Sequence, residues 1–122
     1  MFGKIAFVHY PTRNIEQAIK FYRDVLGFKL LLQNEEWVEF EIGGQRLALR
    51  LIDPWISNTE SANTNAAMIW LEARPIEKLI ALLKKNKVIF INKLESFSYG
   101  KTATFEDPDG NPIGLYEPPS KK

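Results

Sequence analysis

The chain has 122 residues, 45% hydrophobic and 25% charged, with a formal net charge of +1. That is enough apolar material for one folded domain with its own core, and scattered Lys and Arg residues give no electrostatic footing for a nucleic acid or an anionic membrane. The absence of cysteine excludes thiol catalysis, thiolate-bound zinc and disulfides.

No apolar run approaches the roughly 18 residues of a spanning helix, and Met1–His9 lacks the apolar region of a signal peptide. The expected location is therefore the cytoplasm.

Ile5 to Tyr10 reads as a buried strand. Asn14 then opens a helix, and Gln17 three residues on completes a capping-box pattern. Ile15, Ala18, Ile19, Tyr22, Val25 and Leu26 recur at helical spacing until Gly27 stops the helix. Strands are expected around Phe28–Leu32, Trp37–Ile42 and Gln45–Ile52, the last two joined by the hairpin signal Gly43-Gly44.

A two-residue loop fixes the register of that hairpin. Ile42 meets Gln45, so Phe40 faces Leu47 and Val38 faces Leu49 on an apolar side suited to a covering helix. The other side sets Trp37 opposite Arg50, Glu39 opposite Ala48 and Glu41 opposite Arg46. It reads either as a solvated sheet surface or as a ligand-facing wall.

After the linker Pro54–Asn65 the pattern restarts. Ala66–Leu71 reads as a strand, and Pro75 suits the first turn of a helix with the stripe Ile76, Leu79, Ile80 and Leu83. Asn86 is a stop. Val88–Ile91, Thr102–Glu106 and Ile113–Glu117 supply three strands, with Ser96–Gly100 as a loop.

Strand, helix and three strands thus occur twice. Residues 44–50 (GQRLALR) align with residues 110–116 (GNPIGLY), which makes Ala48 and Gly114 equivalent. The expectation is an α+β domain of two βαβββ modules, about residues 1–55 and 64–118.

The first helix, "NIEQAIKFYRDVLGF", and the turn "DPDGN" before the last strand resemble the vicinal oxygen chelate superfamily. That superfamily includes glyoxalase I, bleomycin-resistance proteins, fosfomycin-resistance enzymes and extradiol dioxygenases. The resemblance covers nearly the whole chain. It implies a curved mixed sheet that cups a ligand, with helices on the outer face, usually completed in a homodimer.

Metal-using members take one ligand from the first and one from the last strand of each module, commonly His and Glu. Carried over, those positions are Phe7, Ala48, Met68 and Gly114, none of which has a ligating side chain. No metal and no other cofactor is therefore expected at them. A relocated site would have to use His9, the only histidine, with Glu39 and Glu41, whose charges Arg46 and Arg50 flank.

By strand alternation the cup is expected to be lined by Phe7, His9, Trp37, Glu39, Ala48, Arg50, Met68, Trp70, Thr104, Gly114 and Tyr116. Aromatic surfaces with a few polar groups are typical of small-molecule sites. The expected ligand is planar or anionic, with Arg50 as anchor.

The leading reading is a metal-independent binding protein of this superfamily, similar to its bleomycin-resistance branch. The alternative is a lyase, dioxygenase or isomerase with a relocated site around His9 and Glu39, or acid–base work by His9, Glu39 and Tyr116. A ligand-sensing or dimer-building module is the third.

Overall fold

Strand, helix and three strands appear twice in the computed structural model, which describes residues 1–53 and 67–120. The linker Pro54–Asn65, Ala66 and the terminal Lys121-Lys122 lie outside the described residues. The chain divides into two units, Met1–Glu60 and Ser61–Lys122.

In the first unit, β1 (Val8–Thr12) leads to α1 (Ile15–Ile19), which passes into a π-wound stretch, Lys20–Val25. β2 (Lys29–Gln33), β3 (Trp37–Ile42) and β4 (Gln45–Leu51) follow. The sheet order is β1-β4-β3-β2, with β1 parallel to β4 and the other neighbours antiparallel.

The β3–β4 register is the one expected, from Ile42 opposite Gln45 to Trp37 opposite Arg50. Gly43 and Gly44 both have positive φ, 57° and 78°. That is the turn whose twist matches the strands, and glycine adopts it without a Cβ penalty.

β1 begins later than expected. Val8 pairs with Leu47, so the same register would set Ile5 opposite Gly44, inside the turn. The ladder therefore starts at Val8, and residues 1–7 lie exposed.

Beneath the sheet, Val38, Phe40, Leu47, Leu49 and Tyr10 are buried, as are Ile15, Ala18, Ile19 and Tyr22 at helical spacing. The Tyr22 ring lies 5.6 Å from Phe40 and 5.8 Å from Phe28. Asn14 Oδ1 accepts the Gln17 N–H at 3.0 Å, a cap that contributes about 1 kcal/mol.

The reciprocal half of the capping box is not made. The Asn14 N–H donates instead to Thr12 Oγ1 at 3.2 Å. At the far end Gly27, φ 79°, lets the Phe28 N–H return to the Tyr22 carbonyl at 2.9 Å.

The second unit contains β5 (Ile69–Glu72), α2 (Ile76–Lys85), β6 (Glu95–Phe97), β7 (Gly100–Glu106) and β8 (Pro112–Glu117). Its order, β5-β8-β7-β6, repeats the first sheet, again with a parallel outer pair. Pro75 precedes α2 without a side-chain cap, and the Ile76 N–H donates to Glu117 Oε1 at 2.8 Å. A carboxylate from β8 thus meets the positive end of the helix.

Val88–Ile91 does not form the expected strand. Phe90 makes only an isolated bridge to Phe105, and the Thr104 N–H turns to Asn92 Oδ1 at 3.0 Å. A side chain there replaces the ladder, and the true edge strand forms later as β6. The expected loop Ser96–Gly100 is instead a hairpin in which Phe97 pairs with Gly100.

The turn before β8 is organised by buried Asp107. Its Oδ1 accepts the N–H groups of Asp109 and Asn111 at 2.9 and 2.8 Å, and its Oδ2 accepts Asn111 Nδ2 at 2.8 Å. Among the described residues no helix is long and apolar enough to cross a membrane.

Candidate functional site

Each sheet turns one face to its own buried layer, and the alternate residues form the other face. On the first sheet that second face carries His9, Ala48 and Glu39 side by side across β1, β4 and β3, followed by Pro11, Arg50 and Trp37. The second sheet carries Trp70, Gly114 and Thr104 across β5, β8 and β7, followed by Glu72, Tyr116 and Thr102. His9 and Trp70 are therefore equivalent, as are Glu39 and Thr104.

In the first unit Glu39 is satisfied by its neighbours. Glu39 Oε2 accepts Trp37 Nε1–H at 2.8 Å, and Arg46 lies 3.7 Å from Oε1, leaving the Glu39 side chain 13% exposed. The expectation that Arg50 also pairs with these carboxylates is corrected. Arg46 reaches Glu39 diagonally, and Arg50 is exposed with no ion-pair partner among the described residues. Phe7, just ahead of β1, meets the Trp37 ring edge-on at 5.3 Å, and the His9 ring lies 6.0 Å from it.

The second unit is organised by ring against backbone. The six-membered ring of Trp70 lies on Gly114, and a Cβ there would collide with Cδ2, Cε3 and Cζ3. Trp70 itself remains 50% exposed. Tyr116 O–H donates to the Tyr99 carbonyl at 2.7 Å. The rings of Phe97 and Tyr99 are parallel within 3°, their centroids 4.9 Å apart.

These four aromatic residues wall a cleft of about 440 Å³, with Asn92, Glu95, Thr102 and Thr104 as its polar lining. That size falls within the roughly 300–1,000 Å³ of small-molecule sites. Trp70, Thr104 and Tyr116 were expected to line a ligand site. Phe97, Tyr99, Asn92, Glu95 and Thr102 were not; Phe97 and Tyr99 fall in the expected loop Ser96–Gly100, which is the tip of the β6–β7 hairpin.

Two further expected residues have different surroundings. Met68 precedes β5 and is partly buried, and Gly114 is buried beneath the indole.

The donor chemistry at Phe7, Ala48, Met68 and Gly114 does not fit a divalent ion. A benzyl group, a buried methyl, a thioether and a bare Cα offer none of the imidazole or carboxylate donors such an ion requires. Among the described residues, no group of three His, Asp or Glu side chains gathers to replace them.

Comparison with known proteins agrees with this architecture. The family model for the Glyoxalase/Bleomycin resistance protein/Dioxygenase superfamily matches residues 4–115. The chain is 41% identical over 118 residues to metallothiol transferase FosB of Staphylococcus epidermidis, covering 95% of this chain and 84% of the relative. It is 27% identical over 117 residues to the FosB of Staphylococcus saprophyticus, covering 95% and 78%.

Among solved structures, a glyoxalase family protein from Enterococcus faecalis superposes with TM-score 0.81 at 24% identity, covering 95% of this chain and 98% of the other. TnmS3, an antibiotic binding protein from Streptomyces sp. CB03234, superposes with TM-score 0.73 at 25% identity, covering 97% and 98%. By sequence model and by fold, the chain belongs to the Glyoxalase/Bleomycin resistance protein/Dioxygenase superfamily.

Proposed function

We propose that this protein binds a planar small molecule without a metal ion. The observation that carries the reading is the pair Trp70 and Gly114. The resemblance to metal-using members puts a carboxylate at the position of Gly114; this chain has no side chain there, and an indole occupies the space above it. The aromatic-walled cleft beside that pair supports it, since exposed Trp and Tyr rings offer stacking area at small entropic cost. The kinship to TnmS3, an antibiotic binding protein, is consistent with the same role.

A site completed by a second copy of the chain belongs to this proposal, as does a single domain made of the two modules.

The alternative is an enzyme, and the name of the FosB relatives, metallothiol transferase, favours it. Such an enzyme would have to relocate its chemistry to His9, Glu39 and Tyr116. Glu39 is already taken up by Trp37 and Arg46, and the Tyr116 proton is committed to Tyr99. Both would have to break existing bonds before acting as acid or base.

A thermal-shift screen of planar compounds on chelator-treated protein tests the proposal, because a ligand that binds only the folded state raises Tm. Stabilisation that persists in chelator supports it. Stabilisation that appears only when a divalent ion is restored would sink it.

A further inference from the structure

We infer that the cleft of the second unit selects a planar cation, in contrast to the anionic ligand expected from Arg50. This deepens the small-molecule-binding reading and rests on it. Among the described residues Glu95 is the only charged one that lines the cleft, with no Lys, Arg or His beside it. The Glu95 side chain has no ion pair or hydrogen bond among the described residues. An unpaired carboxylate beside aromatic faces favours positive charge, because ring faces attract cations through their quadrupoles.

The rest of the lining adds no positive charge to compete. Tyr116 has spent its only hydrogen on the Tyr99 carbonyl, so its oxygen can now only accept. Asn92 Oδ1 is engaged by the Thr104 N–H, so the Asn92 amide, the Trp70 indole N–H and the hydroxyls of Tyr99, Thr102 and Thr104 are the donors, all of them neutral. A ligand entering this space meets neutral polar groups, a carboxylate and the exposed rings of Trp70, Phe97 and Tyr99. The chemistry that answers the carboxylate and the rings together is a flat, delocalised cation.

The test is an NMR titration of the full chain with N-methylquinolinium, with its neutral parent quinoline, and with naphthalene-1-carboxylate. Binding is read on the Trp70 indole N–H, assigned by its loss in Trp70→Phe. The expected result is that the cation binds about fivefold to tenfold more tightly than quinoline, with the carboxylate weakest. Glu95→Gln, at an exposed position, should remove most of that preference by weakening the cation.

Equal affinity for cation and quinoline, or a preference for the carboxylate, would overturn the charge selectivity while the binding reading stands. A preference that survives Glu95→Gln would overturn the assignment to Glu95. If no planar probe moves the Trp70 signal, the binding reading fails and this inference with it.

Discussion

The two sheets share strand order and pairing direction, and the register of β1-β4-β3 matches that of β5-β8-β7, yet their second faces are finished differently. In the first, His9 and Ala48 sit beside a closed polar set in which Trp37 and Arg46 both engage Glu39. In the second, the equivalent positions hold Trp70 over Gly114, beside rings and hydroxyls that leave a cleft. One scaffold therefore carries a face whose central carboxylate is already engaged and a face whose carboxylate, Glu95, is not. On those three strands the difference rests on a few side chains, since the pairing there is common to both, whereas the edge strands β2 and β6 pair with different stretches of β3 and β7.

Reciprocal substitutions at the equivalent pair should break this comparison most visibly. Gly114→Ala forces a methyl into the Trp70 ring and is expected to destabilise by about 1–3 kcal/mol, the usual cost of overpacking. Ala48→Gly in the first sheet should cost only about 0.5–1 kcal/mol, the backbone entropy of a strand glycine. Urea unfolding measures both. Trp70→Ala should rescue much of the Gly114→Ala loss, and additive effects in that double-mutant cycle would contradict the contact.

Asp107→Ala should cost a similar amount, about 1–3 kcal/mol, because the Asp109 and Asn111 N–H groups lose their acceptor. It sharpens the comparison from the other side. The first sheet makes its equivalent turn with Gly43-Gly44 and has no such carboxylate to lose.

Within the first face, Glu39→Ala strands the Trp37 indole N–H and should cost about 1 kcal/mol. Glu39→Gln keeps an acceptor for that N–H and should cost less, since the lost Arg46 ion pair is half exposed. Equal losses from the two variants would mean that Trp37 is not the partner that matters.

The smallest effect belongs to the exposed pair Glu77 and Lys101, joined at 2.7 Å. The Lys101 hydrogen bond holds the Glu77 carboxyl below its usual range. The folded state therefore binds that proton more weakly than the unfolded chain. The contribution is in place above the unfolded carboxyl's pKa of about 4.3 and fades as pH falls through the lower folded value. Glu77→Gln should slightly flatten the acid limb of the stability curve, and 0.5 M salt should have a similar effect on the parent protein, both read by thermal unfolding.

Much of this architecture was legible because its signals are local. Gly43-Gly44 fixed a hairpin register, and that register alone set Glu39 beside Ala48 and Trp37 beside Arg50. The internal repeat then made Gly114 equivalent to Ala48. What could not be read was non-local. That Trp70 covers Gly114 follows from a parallel pairing between strands more than forty residues apart.

The hairpin bearing Phe97 and Tyr99 was missed because Ser98 and Tyr99 carry no strong turn signal. Gly100 at φ 135° was the clue, since a glycine closing an alternating Phe-Ser-Tyr run marks a place where backbone geometry excludes other residues. The choice of Arg46 over Arg50 as the partner of Glu39 was equally hidden. Both lie on diagonals from it, and only side-chain reach decides between them.

The most direct test of metal independence is elemental analysis of protein purified without an affinity tag, followed by calorimetric titration with Mn²⁺ and Zn²⁺. The account predicts substoichiometric metal as purified and no saturable binding, because Phe7, Ala48, Met68 and Gly114 supply no donors. One tightly held divalent ion per chain, lost on mutation of His9 or Glu39, would contradict it.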